Sequence, residues 1–219
     1  MSFRIGVLVS GEGTNLQALI DSVHADGTVE IVCVGSNNPG ARALERAADA
    51  GIDRGVFAAA DYESREDRDR ALGDWLDLHR VDLVVTAGFM ELLREPFVRR
   101  FAGRILNVHP SLLPAFPGLH PIEEALDHGV HVMGVTVHYI DEGVDSGPIV
   151  LQEAFQLNPY SREIAAVERR VHEIEHRLLP RAVRLIASGR ARIDPADPRR
   201  VIHEQEPAGT DQGTPGGSG

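Results

Sequence analysis

Apolar positions along the chain follow two different periods. Short runs rich in Val, Ile and Leu occupy residues 5–9, 30–34, 83–86, 105–108, 134–139 and 149–153. Their length and β-branched content predict strands. Between the first two runs, Leu16, Leu19, Ile20 and Val23 recur at helical spacing. Asn38-Pro39-Gly40 reads as a turn, followed by a helix over 41–50 that Gly51 ends. Residues 64–79 read as another helix, with Leu72, Trp75 and Leu76 on one face. A long amphipathic helix is predicted over 161–188, through Ile164, Val167, Val171, Ile174, Leu178, Ala182 and Ile186. Pro180 lies inside it, lacks a backbone donor and is expected to kink it.

Strands alternating with helices predict an α/β fold: an open, mostly parallel twisted sheet with helices on both faces. The second half changes character. Residues 130–155 read as two strands joined by the loop Asp141-Glu142-Gly143-Val144-Asp145-Ser146-Gly147-Pro148. A single domain is expected over 1–203. Residues 204–219 are Gly, Pro and polar residues without periodicity, and a disordered tail is expected there.

Charge narrows the possible partners. Twenty-two basic residues against 33 acidic ones leave a net charge of −11. Such a chain is a poor candidate for wrapping nucleic acid or an anionic membrane. All 22 basic residues are arginines, so a Schiff-base lysine and a P-loop lysine are both excluded. Cys33 is the single cysteine and sits in the apolar run Ile31-Val32-Cys33-Val34. It has no internal disulfide partner and is expected to pack as a small apolar residue. No signal h-region or transmembrane-length segment is present. These features predict a cytoplasmic protein.

Ser10-Gly11-Glu12-Gly13-Thr14-Asn15 joins the first predicted strand to the first helix. Glycines at 11 and 13 permit a tight turn. The helix opening at Thr14 and Asn15 presents free N–H groups and a positive dipole end, a ready anion site. In an open parallel sheet it lies at the carboxyl edge of the strands, where ligands bind. The dinucleotide fingerprint is incomplete, because Leu16 stands where its third glycine belongs. No acidic residue ends the second strand to hold a ribose; Gly35-Ser36-Asn37 stands there instead. A small ligand's phosphate and a plain strand-to-helix turn both fit these residues.

His172-Glu173-Ile174-Glu175-His176 matches the H-E-x-x-H helix of zinc peptidases. The extended pattern fails, with Leu179 in place of its glycine and Ala182 in place of its third histidine. Asp194, Asp197 and Glu204 lie beyond the helix, in a segment of uncertain order. A solvated polar face of the helix would look the same, and no metal is expected. His128 and His131 likewise read as surface loop.

The stretch Asn107-Val108-His109-Pro110-Ser111-Leu112-Leu113-Pro114 carries the most chemistry. In an extended backbone, residues two apart point the same way, so Asn107 and His109 share a face. Two prolines then stop regular structure and put the pair at a strand end. Imidazole moves protons near neutral pH, and a carboxamide donates to a developing oxyanion without ionising. Acyl transfer uses both. Asp145 is the candidate for orienting His109 and holding it charged. An Asx-type turn bond would explain Asp145 equally well. His120 and His138 are secondary candidates.

Four blocks of this chain resemble the phosphoribosylglycinamide formyltransferases, folate-dependent enzymes of purine synthesis. They are Val7-Leu8-Val9-Ser10-Gly11-Glu12-Gly13-Thr14-Asn15-Leu16-Gln17-Ala18, Ala87-Gly88-Phe89-Met90, Asn107 to Pro114, and Thr136-Val137-His138-Tyr139 with Asp145-Ser146-Gly147-Pro148-Ile149. The resemblance implies a formyltransferase-type Rossmann-like fold. Its N-terminal half would carry the ribonucleotide site, and its C-terminal half the folate site. Gly13, Thr14 and Asn15 would hold the ribonucleotide phosphate, and Glu175 would contact the glycinamide. Asn107, His109 and Asp145 would be the catalytic trio. Met90, Glu91, Leu92 and Leu93, with Asp141, Glu142, Gly143, Val144 and Asp145, would line the pterin pocket of 10-formyltetrahydrofolate, largely through backbone groups. Asn107 would also contact the folate, and Arg65 matches a folate-contacting arginine. Ile122 replaces a histidine found in some members, which bears on the contribution of His120.

The expected reaction is direct formyl transfer from 10-formyltetrahydrofolate, as co-substrate, to the amine of glycinamide ribonucleotide. No metal is implied. Small molecules are the expected partners, without nucleic acid or membrane, for a monomer or a homodimer. Three alternatives remain: a formyltetrahydrofolate hydrolase, a zinc hydrolase built on His172 and His176, and a non-catalytic nucleotide-binding module. A methionyl-tRNA formyltransferase would need an RNA-binding extension.

Overall fold

The computed structural model describes residues 2–158 and 163–204. Its centre is a seven-stranded sheet in the order β3-β2-β1-β4-β5-β6-β7. The strands are β1 (Phe3–Val9), β2 (Val29–Ser36), β3 (Asp53–Val56), β4 (Leu83–Thr86), β5 (Ile105–His109), β6 (Val132–Tyr139) and β7 (Ile149–Gln156). The first five run parallel, and β6 and β7 are antiparallel. The polarity changes at β5, where the Asn107-Val108-His109 stretch ends its strand.

Alternation along the strands divides the core in two. Ile5, Val7 and Val9 of β1, Leu83 and Val85 of β4, and Leu106 and Val108 of β5 face one side. They pack under α1 (Thr14–Leu19), α2 (Arg42–Asp49), α5 (Pro121–His128) and α6 (Ile164–Ala187). Leu8, Val84 and Ile105 face the other side, against α3 (Arg65–Leu78) and α4 (Glu95–Arg100). Strands buried on both faces read as continuous apolar runs, which is why the sequence marks them clearly. A π-helical segment, Ile20–His24, continues α1. Ser64 caps α3, its hydroxyl accepting from the Asp67 amide at 3.0 Å.

Several elements depart from the expectation. β3 has the sequence Asp-Arg-Gly-Val, with no apolar alternation, because it is an edge strand whose charges blunt further pairing. α4 and α5 span only six and eight residues, too few to establish a period. Both carry proline in the first turn, and Gly129 closes α5 at φ 81°. Asp194 and Asp197 stand in an ordered segment: β8 (Ala191–Ile193) pairs antiparallel with β9 (Val201–His203). The long helix begins at Ile164; its expected start at 161 lies outside the described residues, as does the expected tail beyond Glu204.

Candidate functional site

β5 and β6 pair so that Asn107 lies opposite His138, and His109 opposite Thr136. The period of two therefore puts both histidines and the amide on one face. The loop between β6 and β7 brings Asp145 over that face. Its backbone has φ 49°, a left-handed conformation that Asp adopts more readily than bulky residues. Gly147 is required for the return of the chain, because a Cβ there would stand 1.9 Å from the Tyr139 carbonyl oxygen.

Asp145 converges on both imidazoles. Its Oδ2 lies 3.5 Å from His109 Nδ1, and its Oδ1 lies 3.5 Å from His138 Nε2. The Gly118 amide donates to Oδ2 at 2.8 Å. Burial pushes the carboxyl pKa up, but hydrogen bonding to His138 and Gly118 and the charge of His109 outweigh it. The net position is below the ordinary Asp value.

The ring orientations follow from their other partners. His109 is 4% exposed, and its Nε2 faces the Phe116 carbonyl at 2.9 Å, so that nitrogen carries a proton. Phe116 itself has φ 52°. His138 Nδ1 faces the Tyr139 carbonyl at 2.9 Å. With that nitrogen protonated, a neutral His138 accepts at Nε2 from the Asn107 amide, 3.3 Å away. A charged His138 would instead donate to Asp145 at 3.5 Å. Nε2 thus lies between the Asn107 amide and Asp145, and it is the contact with Asp145 that lowers the carboxyl pKa; the orientation of Asn107 is set from its other side. Thr86 sets that orientation, its hydroxyl donating to Asn107 Oδ1 at 2.7 Å.

These groups line a cavity of about 390 Å³. Asn107, His109, His138 and Asp145 form its floor. Its walls come from Met90, Glu91, Leu92 and Leu93 on one side and Asp141, Glu142, Gly143 and Val144 on the other. Met90, Leu92, Leu119 and Val144 are large apolar side chains more than half exposed at its rim. The Glu91 side chain is engaged within the protein. Its carboxylate binds Arg68 and accepts from Asn37 at 3.1 Å, and the hydrogen bond from Arg68 holds its pKa below the usual range. Arg65 is exposed at the start of α3 and outside the cavity lining, as is His120 at the start of α5.

The glycine loop adjoins this cavity. Ser10 N–H donates to the Gly88 carbonyl at 3.1 Å, and the Met90 amide donates to Ser10 Oγ at 2.8 Å. Gly13 caps α1 with φ 71°, and a Cβ there would lie 2.6 Å from Ala43 Cβ. Thr14 and Asn15 open the helix. Asn15 Nδ2 donates to Glu175 Oε2 at 3.0 Å, while its Oδ1 is buried without a partner in the protein. Glu175 is 6% exposed, and burial raises its pKa. The helix that carries the H-E-x-x-H motif thus turns Glu175 toward the glycine loop. His172 and His176 stack with ring centroids 6.1 Å apart. Among the described residues, no group of three His, Cys, Asp or Glu side chains has metal-binding geometry. Cys33 is buried, and its thiol is pushed up to about 12 by desolvation. No helix among the described residues is long and apolar enough to cross a membrane.

Thr86, Phe116, Gly118 and Arg68 were not singled out by sequence reasoning. Thr86 left a faint signal as the polar end of a four-residue apolar strand. The Phe116 and Gly118 contributions are backbone groups, which composition does not reveal.

The formyl transferase family model matches residues 3–183. A Haemophilus influenzae phosphoribosylglycinamide formyltransferase is 42% identical over 191 residues, covering 87% of this chain and 90% of that protein. The trifunctional purine biosynthetic protein adenosine-3 of Drosophila pseudoobscura is 49% identical over 192 residues, but this chain spans only 14% of its length. Among solved structures, glycinamide ribonucleotide transformylase 1 from Symbiobacterium toebii superimposes with a TM-score of 0.88 at 45% identity, covering 93% of this chain and 95% of that one. With a matching model over most of its length and a relative of similar size, this chain belongs to the formyl transferase family.

Proposed function

We propose that this chain transfers the formyl group of 10-formyltetrahydrofolate to the amino group of glycinamide ribonucleotide, in purine synthesis. The observation that carries the reading is the convergence of Asn107, His109 and Asp145 on one cavity, beside a glycine loop that opens a helix. The cavity is apolar at its rim and polar at its floor, as a pterin with a reactive formyl group requires. The glycine loop suits a phosphate. The buried, unpaired Asn15 Oδ1 suits an amide N–H of the acceptor.

The amine nitrogen attacks the formyl carbon, forming one C–N bond and an oxyanion. Asn107 Nδ2 donates to that oxygen, its amide fixed by Thr86. The His109 Nε2 proton is committed to Phe116, so the Nδ1 edge acts in the reaction. At 3.5 Å, Asp145 is beyond a full charge-assisted hydrogen bond of about 2.7–2.9 Å. It stabilises a charged His109 electrostatically and leaves the Nδ1 proton free for transfer. Collapse of the intermediate breaks the bond from carbon to nitrogen 10 of the folate. The proton lost by the amine ends on that nitrogen through His109 or water. Placing both substrates in adjoining sites contributes rate through proximity.

The test is folate deformylation followed with and without glycinamide ribonucleotide. Acceptor-dependent release of tetrahydrofolate, with stoichiometric formylated product, supports the transferase. Equal rates in both would identify a hydrolase.

A further inference from the structure

Arg68 is the largest fully buried side chain among the described residues, at 1% exposure. Arg65 and Arg70 on the same helix are exposed. Burying a guanidinium costs several kcal/mol unless carboxylates and hydrogen bonds compensate it. Here two carboxylates do. Asp69 Oδ1 accepts from Nε at 3.1 Å and from NH2 at 2.8 Å, and Glu91 accepts from NH1. Neither acid faces only the cation. The other oxygen of Asp69 accepts from the Arg94 backbone amide at 2.9 Å. Glu91 Oε1 accepts from Asn37 at the end of β2.

The two acids thereby grip the segment 91–94 at both ends. This segment has no helix or strand of its own. Between the grips lie Leu92 and Leu93, which line the cavity, and Met90 is tied to Ser10 just before them. Replacing a buried ion network by apolar side chains often costs a protein no stability. In some proteins such a network fixes a unique geometry, and here its two carboxylates tie this loop at Glu91 and at the Arg94 amide.

We infer that Arg68 is a positioning residue for the formyl-donor pocket, acting through Glu91 and Asp69 to hold the 90–93 wall ready for the ligand. The inference rests on reading the cavity as the folate site. Preorganisation of this kind lowers the cost of binding rather than of chemistry, so its loss falls on donor affinity.

Steady-state kinetics of the full chain with 10-formyltetrahydrofolate and glycinamide ribonucleotide test it. Arg68→Met is expected to raise the donor KM about tenfold, equivalent to the loss of one good contact. The acceptor KM stays within about twofold. Glu91→Ala leaves Arg68 paired with Asp69, keeps the core charge compensated, and raises the donor KM similarly. Because both act through one tether, the double variant is no worse than the more affected single. If Arg68→Met does not fold, Arg68→Lys replaces it. Lysine keeps the charge but cannot span both carboxylates, so the donor KM moves in the same direction. Unchanged donor KM in the variants, equal loss for both substrates, or additive effects in the double variant would overturn the role of Arg68. A wild-type chain that neither binds nor turns over formyl-folate would instead overturn the reading of the cavity.

Discussion

Asp145 stands 3.5 Å from His109 Nδ1 while the Gly118 amide holds the same carboxylate oxygen at 2.8 Å. The acid is thus anchored by backbone and influences the imidazole without capturing its proton. Asp145→Asn keeps the shape and the acceptor for Gly118 but removes the charge. It is expected to lower kcat by about 10²–10⁴, the range for loss of acid–base function. Formyl-folate binding, measured by fluorescence titration, stays near wild type. A kcat within threefold of wild type would remove Asp145 from the mechanism.

The same carboxylate predicts a pH effect. Its folded pKa lies below the ordinary Asp value, so its contribution to stability is present above about pH 4. That contribution is lost as pH falls through the lower folded value. Denaturant midpoints of the wild type and Asp145→Asn should therefore differ at pH 6 and converge in strong acid. A difference that stays constant down to acid denaturation would show that the charge contributes nothing.

Thr86→Val tests the orientation of Asn107. The swap keeps shape but removes the hydroxyl that donates to Oδ1 at 2.7 Å. The amide then loses its reason to present nitrogen to the cavity. A 10- to 100-fold fall in kcat is expected, on the order of one or two weakened hydrogen bonds to the transition state. Both KM values should change little. A rise in KM with kcat intact would mean that Thr86 serves binding instead.

The sequence showed some of these relationships and hid others for physical reasons. Asn107 and His109 were legible because a strand period of two puts them on one face, and His138 because its strand alternates. The buried strands were legible as continuous apolar runs. β3, α4 and α5 were not, since an edge strand carries charges and a helix of two turns shows no period. Arg68 was invisible for a different reason. Its composition matches its neighbours Arg65 and Arg70, and only the packing of α3 against the 90–93 loop separates a buried cation from two solvated ones. The H-E-x-x-H match was set aside from the sequence, because its extended pattern fails at Leu179 and Ala182. Its helix faces the glycine loop, and the residue that matters to the proposed site is Glu175, between the two histidines.

Gly13→Ala probes the acceptor side. Position 13 has φ 71°, and a Cβ would meet Ala43 Cβ at 2.6 Å. Left-handed strain alone costs about 1–2 kcal/mol in a non-glycine residue. The clash must move the loop away from α2, displacing the first helical amides. The acceptor KM is expected to rise at least about tenfold, while the donor dissociation constant is unchanged. Equal losses for both substrates would place the loop outside a dedicated phosphate site.

Glu175 makes the last prediction. It is 6% exposed, hydrogen-bonded to Asn15, and burial raises its pKa. A raised folded pKa means that its contribution to stability is full below the unfolded value of about 4.3 and is lost as pH rises through the folded value. At neutral pH the wild type thus bears the cost of an ionised or newly protonated buried acid. Glu175→Gln removes that cost and retains a carbonyl oxygen for Asn15. The variant should be more stable than wild type at pH 7, with the advantage shrinking toward pH 4. The same change should weaken acceptor binding, because the amine-bearing substrate loses a carboxylate beside Asn15. Thermal unfolding from pH 4 to 8, alongside the acceptor KM, separates the two effects. A stability offset independent of pH would show that Glu175 does not titrate with folding, and an unchanged acceptor KM would take it out of the proposed site.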